Sequence, residues 1–279
     1  MSSRGEPVTE ALLREWGLPD PGESKKSRGD VLVVGGSRSS PGAVLLAGEA
    51  VLRVGAGRVA LAVPQSIDAQ VGIALPEAGI LALPDDADAP LEGELRERVA
   101  AADAVLVGPG FSDAEETRAT LLAVAAAGPR QLVLDAFALG ILPEIGRGSL
   151  PGPLILNPNH DEAKILVGRG LEDDTADVRE IARRFDAVVN CYGTVAAPDG
   201  QAWRVDDGDG GLGTSGSGDV LAGAITGFAA RGVPLARAAV WGSWAHARAG
   251  VRLGERIGLG YLARDLAREL TPAVHAVFR

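Results

Sequence analysis

Residues 213–223 read GTSGSGDVLAG. Glycine, serine and threonine surround a single acid, Asp219, and apolar sequence follows at once. Glycines let backbone N–H groups come close to an anion. A helix opening near Gly218 adds free N–H groups and the positive end of its dipole. Ser215, Gly216, Ser217 and Gly218 therefore read as an anion hole. Two readings of Asp219 stay open. It is either an acid that compensates the helix dipole, or a general base beside a hydroxyl that accepts a phosphoryl group. A carboxylate next to a phosphate site is repelled by its own ligand, so the second reading gives the acid a reason to be there.

Other stretches offer less. VLVVGGSRSSPGA (31–43) matches neither the G-x-x-x-x-G-K-[ST] loop nor a complete G-x-G-x-x-G. VGPGF (107–111) and NPNHDEA (157–163) are further breaks after apolar runs. The chain has three histidines, His160, His246 and His275, and one cysteine, Cys191. No Cys/His cluster suggests a zinc site, and no Ser-His-Asp order stands out. His160 reads equally well as a ligand contact or a surface residue. His246, near Trp241 and Trp244, reads as packing. Cys191 has no cationic neighbour in sequence and reads as inert.

These residues need a frame. DVLVVGG (30–36), RVALAVP (58–64), DAVLVGPG (103–110), QLVLDA (131–136), PLILNP (153–158) and DAVVN (186–190) read as strands. Helical patterns lie between them. The one at 40–57 is expected to start with Ser40 as N-cap and Pro41 in its first turn, and to end at Gly55 and Gly57. GTVAAPDGQAWRV (193–205) reads as a hairpin, and the chain ends in helices at 218–232, 234–256 and 261–274. In the helix after the loop, Leu221, Ile225 and Phe228 share one face and are expected to anchor it. Strand–helix alternation predicts a single α/β domain with a mostly parallel sheet and helices on both faces. Ligands of such sheets gather at the carboxyl ends of the strands, where the Gly-rich breaks fall. Residues 1–29 read as an irregular N-terminal arm with one helical turn, and 30–279 as the domain.

Composition narrows the function. The net charge is −10, with only three lysines, which disfavours nucleic acid and anionic membranes as partners. No apolar run reaches the ~20 residues of a membrane span, the first 30 residues do not resemble a signal peptide, and one cysteine permits no internal disulfide. A cytoplasmic protein is expected.

Together, GGSRSSPGA (35–43), AGEAVLRVGAGRV (47–59), VGPG (107–110), LDAFAL (134–139), NPNHDEA (157–163), GTVAAPDG (193–200), GLGTSGSGDVLAG (211–223) and YLARDL (261–266) resemble the ADP-dependent NAD(P)H-hydrate dehydratases. That family has the ribokinase-like fold. The resemblance runs from about residue 25 to the end. It implies a repair reaction. NADH and NADPH take up water across a ring double bond, and the family phosphorylates the new hydroxyl of the S epimer with ADP (ATP in some relatives). Phosphate then leaves, and AMP and the restored cofactor are released. Asp219 would be the base, with Mg²⁺ screening the phosphates. Ala43, Gly110, Asn159, His160 and Asp219 match positions that touch the hydrate. Asn190, Cys191, Tyr192, Gly193, Thr194 and Gly218 match positions around the adenine nucleotide. No side chain matches a resident metal ligand. Relatives assemble as homo-oligomers, often tetramers. Three positions depart from the family pattern: Asn190 stands where a lysine is usual, Phe137 replaces an acid, and NPN with His160 replaces TPH. Two other readings use the same loop: a kinase of this fold acting on another small alcohol, and a nucleotide-binding homologue without turnover.

Overall fold

The computed structural model describes residues 5–279 of the chain. Its sheet begins with the apolar run Asp30–Val34 (β2), every residue of which is buried. Along β2 the side chains alternate between two cores. Val31 and Val33 enter one, Leu32 and Val34 the other. A strand buried on both faces is what a parallel sheet covered by helices requires.

Around β2 lie Arg58–Pro64 (β3), Gly79–Leu83 (β4), Ala104–Val107 (β5), Leu132–Leu134 (β6), Leu154–Leu156 (β7) and Val188–Cys191 (β8). The hairpin Thr194–Ala196 (β9) and Ala202–Arg204 (β10) follows, and Glu6–Pro7 (β1) closes that edge. The order across the ten strands is β1-β10-β9-β8-β7-β6-β5-β2-β3-β4. All neighbours are parallel except β9, which runs antiparallel to β8 and β10. One face carries Gly42–Arg53 (α2), Ser217–Ala230 (α9), Leu235–Ile257 (α10) and Ala263–Ala276 (α11). The other carries Gly93–Ala101 (α4), Ala114–Ala126 (α5), Phe137–Ile145 (α6), His160–Val167 (α7) and Asp174–Arg184 (α8). The expected single α/β domain with helices on both faces is what forms.

The helix behind the glycine loop is held by close backbone approach. A Cβ on Gly223 would lie 2.2 Å from the Ala47 carbonyl oxygen of α2, so α9 and α2 meet there without side chains between them. Ile225 and Phe228 of α9 are fully buried. Leu221 is half-buried, packs against the same core and also reaches the cavity wall, so the expected anchoring face forms from all three residues.

Three local expectations change. In the arm, the expected helical turn forms and residues 17–29 carry no helix or strand, but the start of the arm is a strand that was not expected; residues 1–4 lie outside the described residues. Glu6–Pro7 pairs with β10, and Glu10–Trp16 (α1) buries Leu13. Trp16 meets Trp203 edge to face, and Arg237 lies over the Trp16 ring. Apolar burial and aromatic contact hold the helix and strand against the domain, while the Pro/Gly-rich remainder stays irregular. Ser40 is not the cap of α2. Its N–H closes a turn onto Ser37, and Pro41 takes the cap position. Last, β4 and Asp68–Ala74 (α3) escaped the sequence reading. The strand GILAL sits at the sheet edge and is mostly half-exposed, so its pattern lacks the buried β-branched signal of its neighbours. Among the described residues no helix is long and apolar enough to cross a membrane.

Candidate active site

A cavity of about 900 Å³ opens at the carboxyl ends of β6, β7 and β8. Its wall includes Gly216, Ser217, Gly218 and Asp219 from the start of α9. Gly216 adopts φ +86°, and a Cβ there would come within 2.4 Å of Leu46 Cδ1. Only glycine fits both the left-handed turn and the space. The Ser217 N–H bonds to the Thr214 carbonyl, and the first helical i→i−4 bond runs from Val220 to Gly216. The Gly218 and Asp219 N–H groups therefore precede the hydrogen-bonded ladder and are available to an anion. Ser215 is exposed and outside the cavity wall.

Asp219 stands in that first turn and faces the cavity. A helix N-terminus favours the carboxylate, yet burial wins and pushes its carboxyl up to about 6. It is thus ionised at neutral pH but far more basic than an exposed aspartate, as a general base requires.

His246 supports the loop. Its Nε2 lies 2.9 Å from Ser217 Oγ and 3.0 Å from the Ser217 carbonyl oxygen. A carbonyl only accepts, so Nε2 carries the proton, and the Ser217 hydroxyl can donate toward the cavity. Burial lowers the imidazole to about 4, so it is neutral. The sequence placed His246 in packing; it is instead the buried brace of the anion loop.

Three strand ends line up across the sheet. Leu134 pairs with Leu156, and Leu156 with Val189. The next residues, Asp135, Asn157 and Asn190, form a row, all buried. Asn157 Nδ2 donates to Asp135 Oδ1 at 2.9 Å, and Asn190 Nδ2 donates to Asn157 Oδ1 at 2.7 Å. The Ser243 hydroxyl of α10 donates to Asn190 Oδ1 at 2.5 Å. Every donor in this chain points toward Asp135. Desolvation, the facing Asp219 and Glu162 raise the Asp135 carboxyl well above the usual range, against the Asn157 and Ala136 hydrogen bonds.

Asp135, Glu162, Asp207, Asp209 and Asp219 all face the cavity, and among the described residues no Lys or Arg side chain lines it. Among the described residues no group of three or more His, Cys, Asp or Glu is assembled as a metal cage.

A profile of the NAD(P)H-hydrate dehydratases matches residues 31–272. The chain is 42% identical to the ADP-dependent (S)-NAD(P)H-hydrate dehydratase of Xanthomonas campestris pv. campestris, over 94% of each chain. This protein belongs to the NAD(P)H-hydrate dehydratase family. It superposes with a TM-score of 0.81 on the ADP/ATP-dependent NAD(P)H-hydrate dehydratase of Bacillus subtilis, which was co-crystallised with ATP/Mg²⁺. That match has 25% identity and covers 99% of this chain and 100% of the other. A ribokinase-like superfamily protein of Enterococcus faecalis gives a TM-score of 0.84 at 22% identity, over 98% and 96% of the two chains, which shows the ribokinase-like fold. The chain spans about half the length of the bifunctional NAD(P)H-hydrate repair enzymes that it also matches.

The residues expected to form this dehydratase site fall into three groups. Asp219, Gly216, Ser217, Gly218, Asn159, Tyr192 and Gly193 line the cavity. Asn159 also caps α7, its Oδ1 accepting from the Asp161 and Glu162 amides. Ala43 and Gly110 lie against each other, where a Gly110 Cβ would sit 3.0 Å from the Ala43 Cβ, and neither belongs to the cavity wall. His160 also lies outside the wall but stacks on Tyr192, ring centroids 4.0 Å apart. Asn190, Cys191 and Thr194 are buried behind the wall. The Asn190 amide is committed to the row described above, and burial pushes the Cys191 thiol up to about 12, which leaves it inert. Phe137 faces solvent at a second, shallower pocket beside Ile141 and Ile165.

The sequence reading overlooked Asp135, Asn157, Glu162, Asp207, Ser243 and the bracing role of His246. One signal was present. LVLD, LILN and VVN each end an apolar strand on a polar residue. Only their register shows that the three are neighbours.

Proposed function

We propose that this protein dehydrates the S epimer of hydrated NADH or NADPH at the expense of ADP, releasing AMP and phosphate. The observation that carries the reading is Asp219: a half-buried carboxylate on a cavity wall, in the first turn of a helix whose free N–H groups face the same space. The names of its relatives and the family match support the substrate.

The chemistry follows from the leaving groups. Hydroxide leaves a ring carbon poorly; phosphate leaves well. Asp219 takes the proton of the hydrate's hydroxyl as its oxygen attacks the terminal phosphorus of ADP. The Gly218 and Asp219 amides, braced through Ser217 by His246, stabilise charge as the phosphoryl group passes. Ring nitrogen electrons then expel phosphate. Gly193 and Tyr192 supply cavity wall for the adenine nucleotide, and Asn159 for the hydrate. Ala43, Gly110 and His160 would contact the outer part of a dinucleotide that extends beyond the cavity.

An acidic cavity without lysine or arginine needs a cation to admit two polyphosphates, and the residues present fit Mg²⁺ in that role. The missing protein cage suits an ion that arrives on the nucleotide, with Asp207 at the wall and phosphate oxygens as its donors. When bound, Mg²⁺ supplies charge neutralisation at the phosphates.

The unit that does this is residues 30–279, with the N-terminal segment packed on its edge. A cytoplasmic homotetramer is the assembly we infer; exposed Ile257, Leu259 and Leu262 at the α10–α11 junction provide an apolar patch for subunit contact. A light-scattering mass of one subunit would exclude it.

The decisive assay supplies chemically hydrated NADH, ADP and Mg²⁺ and follows recovery of reduced-nicotinamide absorbance. ADP-dependent recovery is expected. Phosphorylation of another alcohol without recovery would instead indicate a kinase of this fold.

A further inference from the structure

Hydration adds OH to one ring carbon and H to its neighbour. Dehydration must therefore remove a hydrogen from carbon as well as oxygen from carbon. Asp219 accounts for the proton of the hydroxyl and for nothing later. Resting on the function proposed above, we infer that Asp135 is a second catalytic residue, the acid and then the base of the elimination half-reaction.

The geometry sets Asp135 apart from the other cavity carboxylates. It is buried in the cavity wall on the row of strand ends, and among the described residues no arginine or lysine lines the cavity with it. Its Oδ1 is fixed by the Asn157 amide, which is fixed by Asn190, which is fixed by Ser243. The Ala136 N–H also bonds to the carboxyl, which lines the cavity. The groups that face it are Asp219 and Glu162, both acidic, so it sits among like charges in a dry wall. Burial and these like charges raise the carboxyl well above the usual range, which favours its protonated form. Two carboxyls in one cavity whose surroundings differ, one under free helix N–H groups and one in a wall among acids, can divide base and acid roles.

The steps balance. In the first half, the P–O bond to AMP breaks, the hydroxyl oxygen bonds to phosphorus, and its proton goes to Asp219 and later to water. In the second half, the C–O bond breaks, the ring nitrogen's lone pair forms C=N⁺, and Asp135 gives its proton to the departing phosphate. The C–H bond on the neighbouring carbon then breaks. Its proton returns to Asp135, its electron pair forms the ring double bond, and the C=N⁺ pair returns to nitrogen as its lone pair. Asp135 ends as it began, and no redox partner is needed.

A purely structural Asp135 would slow both halves together; an elimination catalyst would separate them. With enzyme in excess over hydrated NADH, and ADP and Mg²⁺ present, quenched-flow samples are analysed for AMP while absorbance recovery is followed. For Asp135→Asn, AMP is expected to form within about threefold of the wild-type rate. Recovery is expected to slow by about 10²-fold or more, with phosphorylated hydrate accumulating between the two. Asp135→Glu, which restores a carboxyl, should regain part of the recovery rate and serves if the Asn variant does not fold. AMP formation and recovery slowed in parallel in both variants, or recovery unchanged in Asp135→Asn, would overturn the role of Asp135. A wild-type enzyme that shows no ADP-dependent recovery would overturn the proposed function itself, and this role with it.

Discussion

Two buried aspartates lie at opposite ends of the same sheet. Asp30 opens β2 and is clasped by Arg58 and by both terminal nitrogens of Arg98. Asp135 follows β6 and has two neutral donors, the Asn157 side chain and the Ala136 backbone, and two acidic neighbours. Burying a carboxylate is costly unless a cation and hydrogen bonds offset it. Asp30 meets that requirement and ties three elements, β2, β3 and α4, at the closed end of the sheet. Asp135 does not meet it, and the chain keeps the group nonetheless at the end where the cavity opens. A buried acid with its cations in place is architecture. A buried acid among other acids, facing a cavity, is poised for proton transfer.

The strongest way to break this contrast is at Asp219. Asp219→Asn should slow absorbance recovery about 10³-fold while ADP affinity, read by calorimetry, stays within a few-fold. A variant retaining a tenth of the activity would remove Asp219 as the base.

Next is Asp30→Asn. It leaves Arg58 and Arg98 facing each other without their anion and should lower stability by about 3 kcal/mol in urea unfolding. Recovery per folded molecule should not change. A loss of turnover without loss of stability would put chemistry at the wrong end of the sheet.

Asp219→Asn has a second, smaller consequence. The folded-state pKa of about 6 lies above the usual aspartate value of ~4, so the folded protein prefers the protonated form. Ionised Asp219 therefore costs stability at pH values above 6, and the cost fades as pH falls toward 4. The Asn variant should be about 2 kcal/mol more stable than wild type at pH 8, and equally stable near pH 4. Equal stability at both pH values would show that the carboxylate is not strained by burial. A mutation that abolishes activity while stabilising the fold is the signature of a group placed for chemistry.

The smallest effect is on the wild-type enzyme. Recovery requires ionised Asp219, so the rate should fall as pH drops through about 6, to about a tenth of its plateau near pH 5. A profile flat from pH 8 to 5 would contradict the assignment.

Much of this was legible in the chain. The loop 213–219 announced itself because backbone anion binding needs glycine at fixed local positions, and Gly216 confirms the need with its left-handed turn. The strands from 30 to 190 showed as apolar runs because both their faces are buried. The half-exposed edge strand at 79–83 did not. His246 was misread because its neighbours in sequence, Trp241 and Trp244, pack in the core, while its own ring turns to Ser217 of another helix.

The sequence by itself determined the alternation of elements, the glycine loop and the acid seated in it, since these depend on neighbours a few residues apart. Only the tertiary structure decided that Asp135, Asn157, Asn190 and Ser243, spread over more than a hundred residues of chain, form one directed row beside that acid. Strand register and the crossing of α10 behind the sheet set those distances. Neither is written in local residue order, because both follow from how whole faces of helix and sheet bury one another.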